Sequence, residues 1–253
     1  MMEVLGCLLL AFLGGVPQDK KDEFAELCRK IGESRKELKF LSAEVRVERT
    51  GKYEDASTSA KGKLWWKPGA VIMEETDLEQ GARPVKTFVR EGEAVVLRAR
   101  PKKAEIYELA RYFFAAALLR DGVTENLRKD WDVVIAARPE QTKLPDELHA
   151  KDGEKPKPRD AKVPGGRPRA GSQGEGEEGK HVILELRPLR EPLKEFVQVV
   201  RVHLNKDTWH VEKVSVDDAM ALTVYRFSDW KPLDQVEERL FEPDLAGVPV
   251  ERK

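Results

Sequence analysis

Ser42-Ala43-Glu44-Val45-Arg46-Val47-Glu48 decides the fold class. Small or apolar side chains alternate with charged ones, so successive residues point to opposite faces. That period of two predicts a strand with one buried and one wet face. The stretch before it has a different period. Phe24, Leu27, Cys28, Ile31, Leu38 and Leu41 fall between Lys20 and Leu41, the first four spaced three or four apart on one helical face. The stretches after it repeat the period of two. Lys61 to Trp66, Val71 to Glu75, Val85 to Arg90 and Ala94 to Arg98 read as short strands. Gly- and Pro-containing turns separate them, which suits an antiparallel meander, because parallel pairing needs longer crossovers.

Leu109 to Arg120 is helical and almost wholly apolar, so it must be buried on several sides or cover an apolar surface. Thr124 can cap a short helix through Lys129, and Trp131 to Ala137 returns to strand. Residues 138–180 differ in kind. They hold six of the fifteen prolines and seven of the eighteen glycines, with no Phe, Trp, Tyr or Ile. Such a segment cannot bury enough surface to offset chain entropy and reads as a disordered insertion. Four more strands follow: His181 to Arg187, Phe196 to Leu204, Trp209 to Val216 and Ala221 to Trp230. Asn205-Lys206-Asp207 is a hairpin turn, and Phe241 to Val250 reads as an edge strand. A sheet of roughly ten strands curls or closes on itself, with the apolar helices on its concave side.

Composition narrows the function. Forty-five Lys and Arg against forty-six Asp and Glu give a net charge of −1, without the basic excess of a nucleic-acid binder. Two cysteines exclude a disulfide scaffold and a Cys-rich metal site. Val4 to Val16 is an uncharged apolar run of thirteen, too short to span a bilayer. With Gly14 and Gly15 near its end it suits a signal peptide over residues 1–18, and hence an exported protein. No phosphate loop, nucleophile elbow or paired-His protease motif is present. His203 and His210 flank one turn with Asp207 between them, and two half-exposed strand histidines are the simpler reading than a metal site. No cofactor is expected, and no enzymatic role.

Apolar residues occur on both sides of several strands. Leu222 and Val224 share one face while Tyr225 and Phe227 share the other, and Val197 and Val199 lie opposite Val200 and Val202. One face belongs to a core, and the second must meet helices or a ligand.

The order of these motifs resembles the periplasmic lipoprotein carrier family (LolA) and its outer-membrane receptor relative (LolB). The matching stretches are Leu41 to Val47, Gly62-Lys63-Leu64-Trp65-Trp66-Lys67-Pro68-Gly69, Glu91 to Leu97, Leu109 to Leu119, and the C-terminal run from Phe196 through Tyr225-Arg226-Phe227 to Val250. The resemblance implies a mainly β fold with helices (α+β): an incomplete antiparallel β-barrel with an α-helical lid over an apolar cavity. Residues 19–137 and 181–253 would be its two parts. It implies a cavity lined by Leu64, Trp66, Phe88, Leu109, Phe113, Phe114, Leu118, Val199, Val224, Tyr225 and Phe227, with Lys67 as the basic residue that gates the lid. It implies a monomeric carrier that moves acylated lipoproteins between an inner-membrane release complex and an outer-membrane receptor. A regulatory domain of the same type, acting by protein contact or lipid sensing, is the other expectation.

Deleting Gly153 to Gly176 should leave the melting temperature nearly unchanged, because these residues have little to bury. A large drop in a thermal melt would show that the segment packs on the domain.

Overall fold

The computed structural model describes residues 19–53, 57–78, 84–109, 115–121, 123–136 and 180–253, with side chains of 19–22 and 121 left aside. The proposed signal peptide, the 138–180 insertion, Phe113 and Phe114 lie outside the described residues.

Helix α1 spans Asp19–Arg35, and six strands follow it: β1 (Phe40–Gly51), β2 (Ser57–Lys67), β3 (Ala70–Asp77), β4 (Pro84–Val89), β5 (Glu93–Ala99) and β6 (Lys102–Glu108). Then come α2 (Ala115–Asp121), a 3-10 turn (Glu125–Lys129) and β7 (Trp131–Ala136). The second part holds β8 (His181–Pro188), the four-residue helix α3 (Leu193–Phe196), β9 (Val197–Asn205), β10 (Val211–Asp218) and β11 (Ala221–Leu233). A 3-10 turn at Glu238–Phe241 leads to β12 (Val250–Arg252). All twelve strands form one sheet in the order β12-β6-β5-β4-β3-β2-β1-β11-β10-β9-β8-β7. Every pairing is antiparallel except β12 against β6. Among the described residues β7 and β12 are the two edges, so the barrel is incomplete.

Most expected elements are present, with four differences. The segment expected as an edge strand from Phe241 to Val250 is a 3-10 turn ending at Phe241 followed by irregular chain, and only Val250 enters β12. Helix α1 ends early, at Arg35, just after the weak helix formers Gly32 and Ser34 and short of Leu38 and Leu41. Strand β6 had no sequence signal, because Lys103, Glu105 and Tyr107 put charge and a phenol where an inward apolar residue is expected. Strand β10 begins at Val211, because Trp209 takes a left-handed φ of 57° inside the turn that Asn205 organises. The Asn205 Oδ1 accepts the Asp207 and Thr208 amides at 2.8 and 3.1 Å. This Asx-type bond is the local reason that the chain reverses there.

The sheet rolls around its helices. Phe24, Leu27 and Ile31 of α1 join Ala115, Ala116, Leu118 and Leu119 of α2 in one buried cluster. Alternate residues of β1, β2, β3 and β8 to β11 complete that inner core. A second cluster sits on the outer face. Ile72, Phe88, Val95, Ala104 and Ile106 are covered there by Phe241 and Val248 of the C-terminal segment. Phe40 stacks on Phe241 with ring centroids 6.3 Å apart.

Gly62 of β2 pairs with Val45 and Glu75 on the inner face. A Cβ there would stand 1.7 Å from the Glu74 carbonyl oxygen, a backbone atom that cannot rotate away. Gly62→Ala should therefore destabilise the fold by about 2 kcal/mol or more in urea denaturation, in the range of overpacked cores. An unchanged midpoint would show that the two strands can separate at no cost.

Candidate functional site

The inner face has a filled end and an open end. At the filled end α1 and α2 lie against Leu41, Ala43, Leu64, Trp66 and Phe227, all buried. Beyond α2 the same face opens into a pocket of about 600 Å³. Its walls come from β1, β3 to β6 and β9 to β11, and Ala115 of α2 forms part of its border. Met73, Val85, Val96, Val197 and Val216 supply apolar wall, while Arg49, Glu75, Thr87, Arg98, Tyr107, Thr223 and Tyr225 supply polar groups. A smaller recess of about 260 Å³ shares Arg49, Glu75, Val85, Thr223 and Tyr225 with it. At the rim Phe196 is 46% and Met220 64% exposed, large apolar side chains left in water beside a cavity.

The polar groups are ordered by the pleat. Glu105 is 6% exposed and accepts from Lys103 at 2.7 Å, Tyr107 at 3.2 Å and Arg98 at 3.3 Å. The Lys103 bond leads in holding its carboxyl down to about 2, against the opposing effect of burial. Glu75 behaves oppositely. Desolvation inside the concavity pushes its carboxyl up to about 7, and the nearby Arg98 offsets only part of that. Burial and the Glu75 charge both push the Tyr225 phenol upward. Glu75 thus holds its proton more readily than an ordinary carboxyl, at the junction of the two recesses.

The lid helix is held by basic residues other than the one the resemblance singles out. The Trp66 indole donates to the Arg120 carbonyl of α2 at 3.2 Å. The Arg35 guanidinium lies 5.8 Å from the Trp66 ring and donates to the Leu119 carbonyl at 3.4 Å. Burial lowers the Arg35 pKa to about 10, and among the described residues its Nε has no hydrogen-bond partner. Arg120 in turn donates to the Arg90 carbonyl, and Arg90 to the Phe241 carbonyl. This relay runs from α2 through the β4–β5 hairpin to the outer C-terminal segment.

The candidate residues separate by face. Leu64, Trp66, Leu118 and Phe227 sit in the inner core, with Leu109 and Tyr225 half-buried against it. Tyr225 alone among these reaches the open pocket. Phe88 is corrected to the outer cluster, where it pairs with Ile72 and Val95. Val224 is also on the outer face, in alternation with the inner Thr223 and Tyr225. Val199 pairs with Asp217 on that face, because the bulge at Asp217–Asp218 puts Val197 rather than Val199 in the inner core. Lys67 points outward too, with its ammonium 4.8 Å from the Phe241 ring centroid. It meets the C-terminal segment rather than the lid. Arg35, Arg90 and Arg120 escaped the sequence reading, since nothing in their spacing marks them. Glu75 escaped it as one of an adjacent carboxylate pair.

Among the described residues no group of three His, Cys, Asp or Glu side chains is placed to hold a metal. His210 stacks on Trp230 at 5.1 Å, and His181 bonds Glu212 at 2.5 Å.

No known family model and no curated protein matches the chain. Solved structures do. The chain is similar to an uncharacterized conserved protein from Thermus thermophilus, at 10% identity over 92% of this chain and 99% of that one, TM-score 0.46. It is similar to a LolA superfamily protein from Nitrosomonas europaea, at 12% identity over 87% and 97%, TM-score 0.42. A third likeness is to a putative outer membrane lipoprotein-sorting protein domain from Vibrio parahaemolyticus, at 9% identity over 87% and 97%, TM-score 0.44. At such identities and superpositions the chemistry rests on this chain's own residues.

Glu75 generates a pH prediction. Its folded pKa lies above the unfolded value, so the folded state holds the extra proton between roughly pH 4.5 and 7. Stability from this group is complete below the lower value and is lost as pH rises through the upper one. Glu75→Gln should leave stability almost unchanged at pH 4.5 and raise it at pH 8, measured by urea denaturation at both. Equal effects at the two pH values would place Glu75 in free solvent.

Proposed function

We propose that this half-barrel is a non-enzymatic carrier. It takes the acyl chains of lipidated proteins into the open end of its inner face. The observation that carries the reading is the 600 Å³ pocket with Phe196 and Met220 exposed at its rim. That volume lies within the roughly 300–1,000 Å³ of small-molecule sites. An acyl chain in water costs ~0.8 kcal/mol per exposed CH₂, so apolar wall and rim give it a reason to enter. The mixed lining suits an amphiphile, with methylenes against Val85, Val96 and Val216 and its polar linkage toward Thr87, Tyr107 and Tyr225.

Release needs no chemical step. Helix α2 borders the pocket, and its end is held by a few hydrogen bonds from Trp66, Arg35 and Arg120. A receptor that favours a displaced α2 would shift the population toward the unloaded form. Export, a monomeric state, and hand-over from an inner-membrane release complex to an outer-membrane receptor belong to this reading. A domain acting by protein contact is its alternative.

The full chain should bind a fluorescent long-chain acyl probe one to one. An acylated peptide should compete, and the same peptide without lipid should not. Phe196→Glu with Met220→Glu should weaken probe binding about tenfold and shift the melting temperature by only a few degrees, because both side chains are already exposed. Probe binding that is absent, or untouched by the double variant, would overturn the carrier reading.

A further inference from the structure

The outer face carries an arrangement that the fold does not need. The register sets Lys61 of β2 opposite Arg46 of β1, and Arg46 opposite Arg226 of β11. Arg226 faces Lys213 of β10, which faces His203 of β9. Four cations therefore occupy directly opposed positions on four neighbouring strands, and an imidazole ends the row. At roughly 4.8 Å per strand step, the four span about 14 Å. Like charges directly opposed across strands are destabilising. The crowding registers on Lys213, whose pKa is lowered first by burial and then by Arg226. His203 is pushed down to about 4 by burial and by Lys213, so it is neutral at physiological pH and adds no charge.

Nearby carboxylates neutralise the row only in part. Glu48 pairs with Arg226 at 2.5 Å, but Glu74 is taken by Lys86 at 3.0 Å and Glu185 by Arg187 and Arg201. Glu44 lies opposite Lys63, a further cation beside the row. Among the described residues Arg46 and Lys61 have no ion pair. Arg46, Lys61 and Arg226 line a groove of about 770 Å³ on this face with Lys63 and Trp65, and Glu44 and Glu74 are the two carboxylates in its lining, so cations outnumber anions four to two.

We infer that this row is a docking surface for an extended acidic segment of a partner protein. Charge complementarity selects an anion, and the groove selects its form. A flat bilayer surface would bridge over a depression, and the large exposed apolar side chains among the described residues lie elsewhere. A single nucleic-acid strand would want stacking platforms, and Trp65 is the one aromatic residue lining the groove. An extended polypeptide rises about 3.3 Å per residue, so four or five residues with alternating carboxylates cover the row. The inference is independent of the acyl pocket, which opens on the opposite face of the sheet.

The test uses the full chain and a fluorescently labelled hexaglutamate peptide, followed by anisotropy at low and moderate salt. The expected result is saturable one-to-one binding that weakens as salt screens the charges. Arg46→Gln with Lys61→Gln should weaken it roughly five- to tenfold without lowering the melting temperature, because the variant relieves repulsion. Lys194→Gln with Lys206→Gln, which removes two exposed charges off the row, should change binding less than twofold. Absence of peptide binding, or equal losses in the two double variants, would overturn the proposal. So would tighter, row-dependent binding to phosphatidylglycerol vesicles or to a ten-nucleotide DNA strand.

Discussion

The close approach of Gly62 to the Glu74 carbonyl leaves no room for a side chain between β2 and β3, and the packing of the inner face depends on that contact. A side chain at that point would force β2 and β3 apart. With the roll in place, Leu64 and Trp66 turn toward α1 and α2, and Trp65 turns toward the C-terminal segment. Adjacent tryptophans thus serve two different cores. The register that puts Trp66 beneath the end of α2 also brings its indole to the Arg120 carbonyl. Strand packing, core division and lid attachment are one arrangement seen at three scales.

Polar groups inside the concavity follow from the same geometry. A flat sheet would leave Glu105 and Arg98 in water, where such a pair contributes little. On the rolled sheet the carboxylate is nearly enclosed by its own partners. Glu75, on β3 nearer the middle of the sheet, has no such set of donors among the described residues, and burial favours its protonated form. The pocket therefore grades from a fixed ionic edge to a titrating middle to an apolar wall. That gradient distinguishes it from a purely hydrocarbon-lined cavity, and it matches a ligand with both a chain and a polar linkage.

Much of the fold was legible because strand alternation survives in the sequence: β1, β7 and β11 are read directly from residues such as Val45, Val133 and Phe227. Strand β6 was not, since its inward residues are Lys103, Glu105 and Tyr107, satisfied by ion pairing rather than by burial in hydrocarbon. Faces were harder than elements. Alternation says that Phe88 and Thr87 point apart, but not which of them points inward, and the second apolar layer under Phe241 was invisible before the tail was placed. A single bulge at Asp217–Asp218 put Val197 and Val199, which alternation places together, on opposite faces. Lys67 came from a family position rather than from physics, and physics put it over an aromatic ring. The cationic row is written in residues 46, 61, 213 and 226, and only the register makes it a row.

The C-terminal segment leaves β11 in the middle of the sheet, crosses the outer face and pairs as β12 with β6 at the far edge. It has a consequence for the order in which the molecule matures. Ile72, Phe88, Val95 and Ile106 are made early in synthesis, yet their cover is among the last parts of the fold to emerge. Until then β3 to β6 present an apolar outer surface and an unpaired edge, the two features that invite association with other chains. A protein built this way spends its nascent period needing protection on the side away from its cavity.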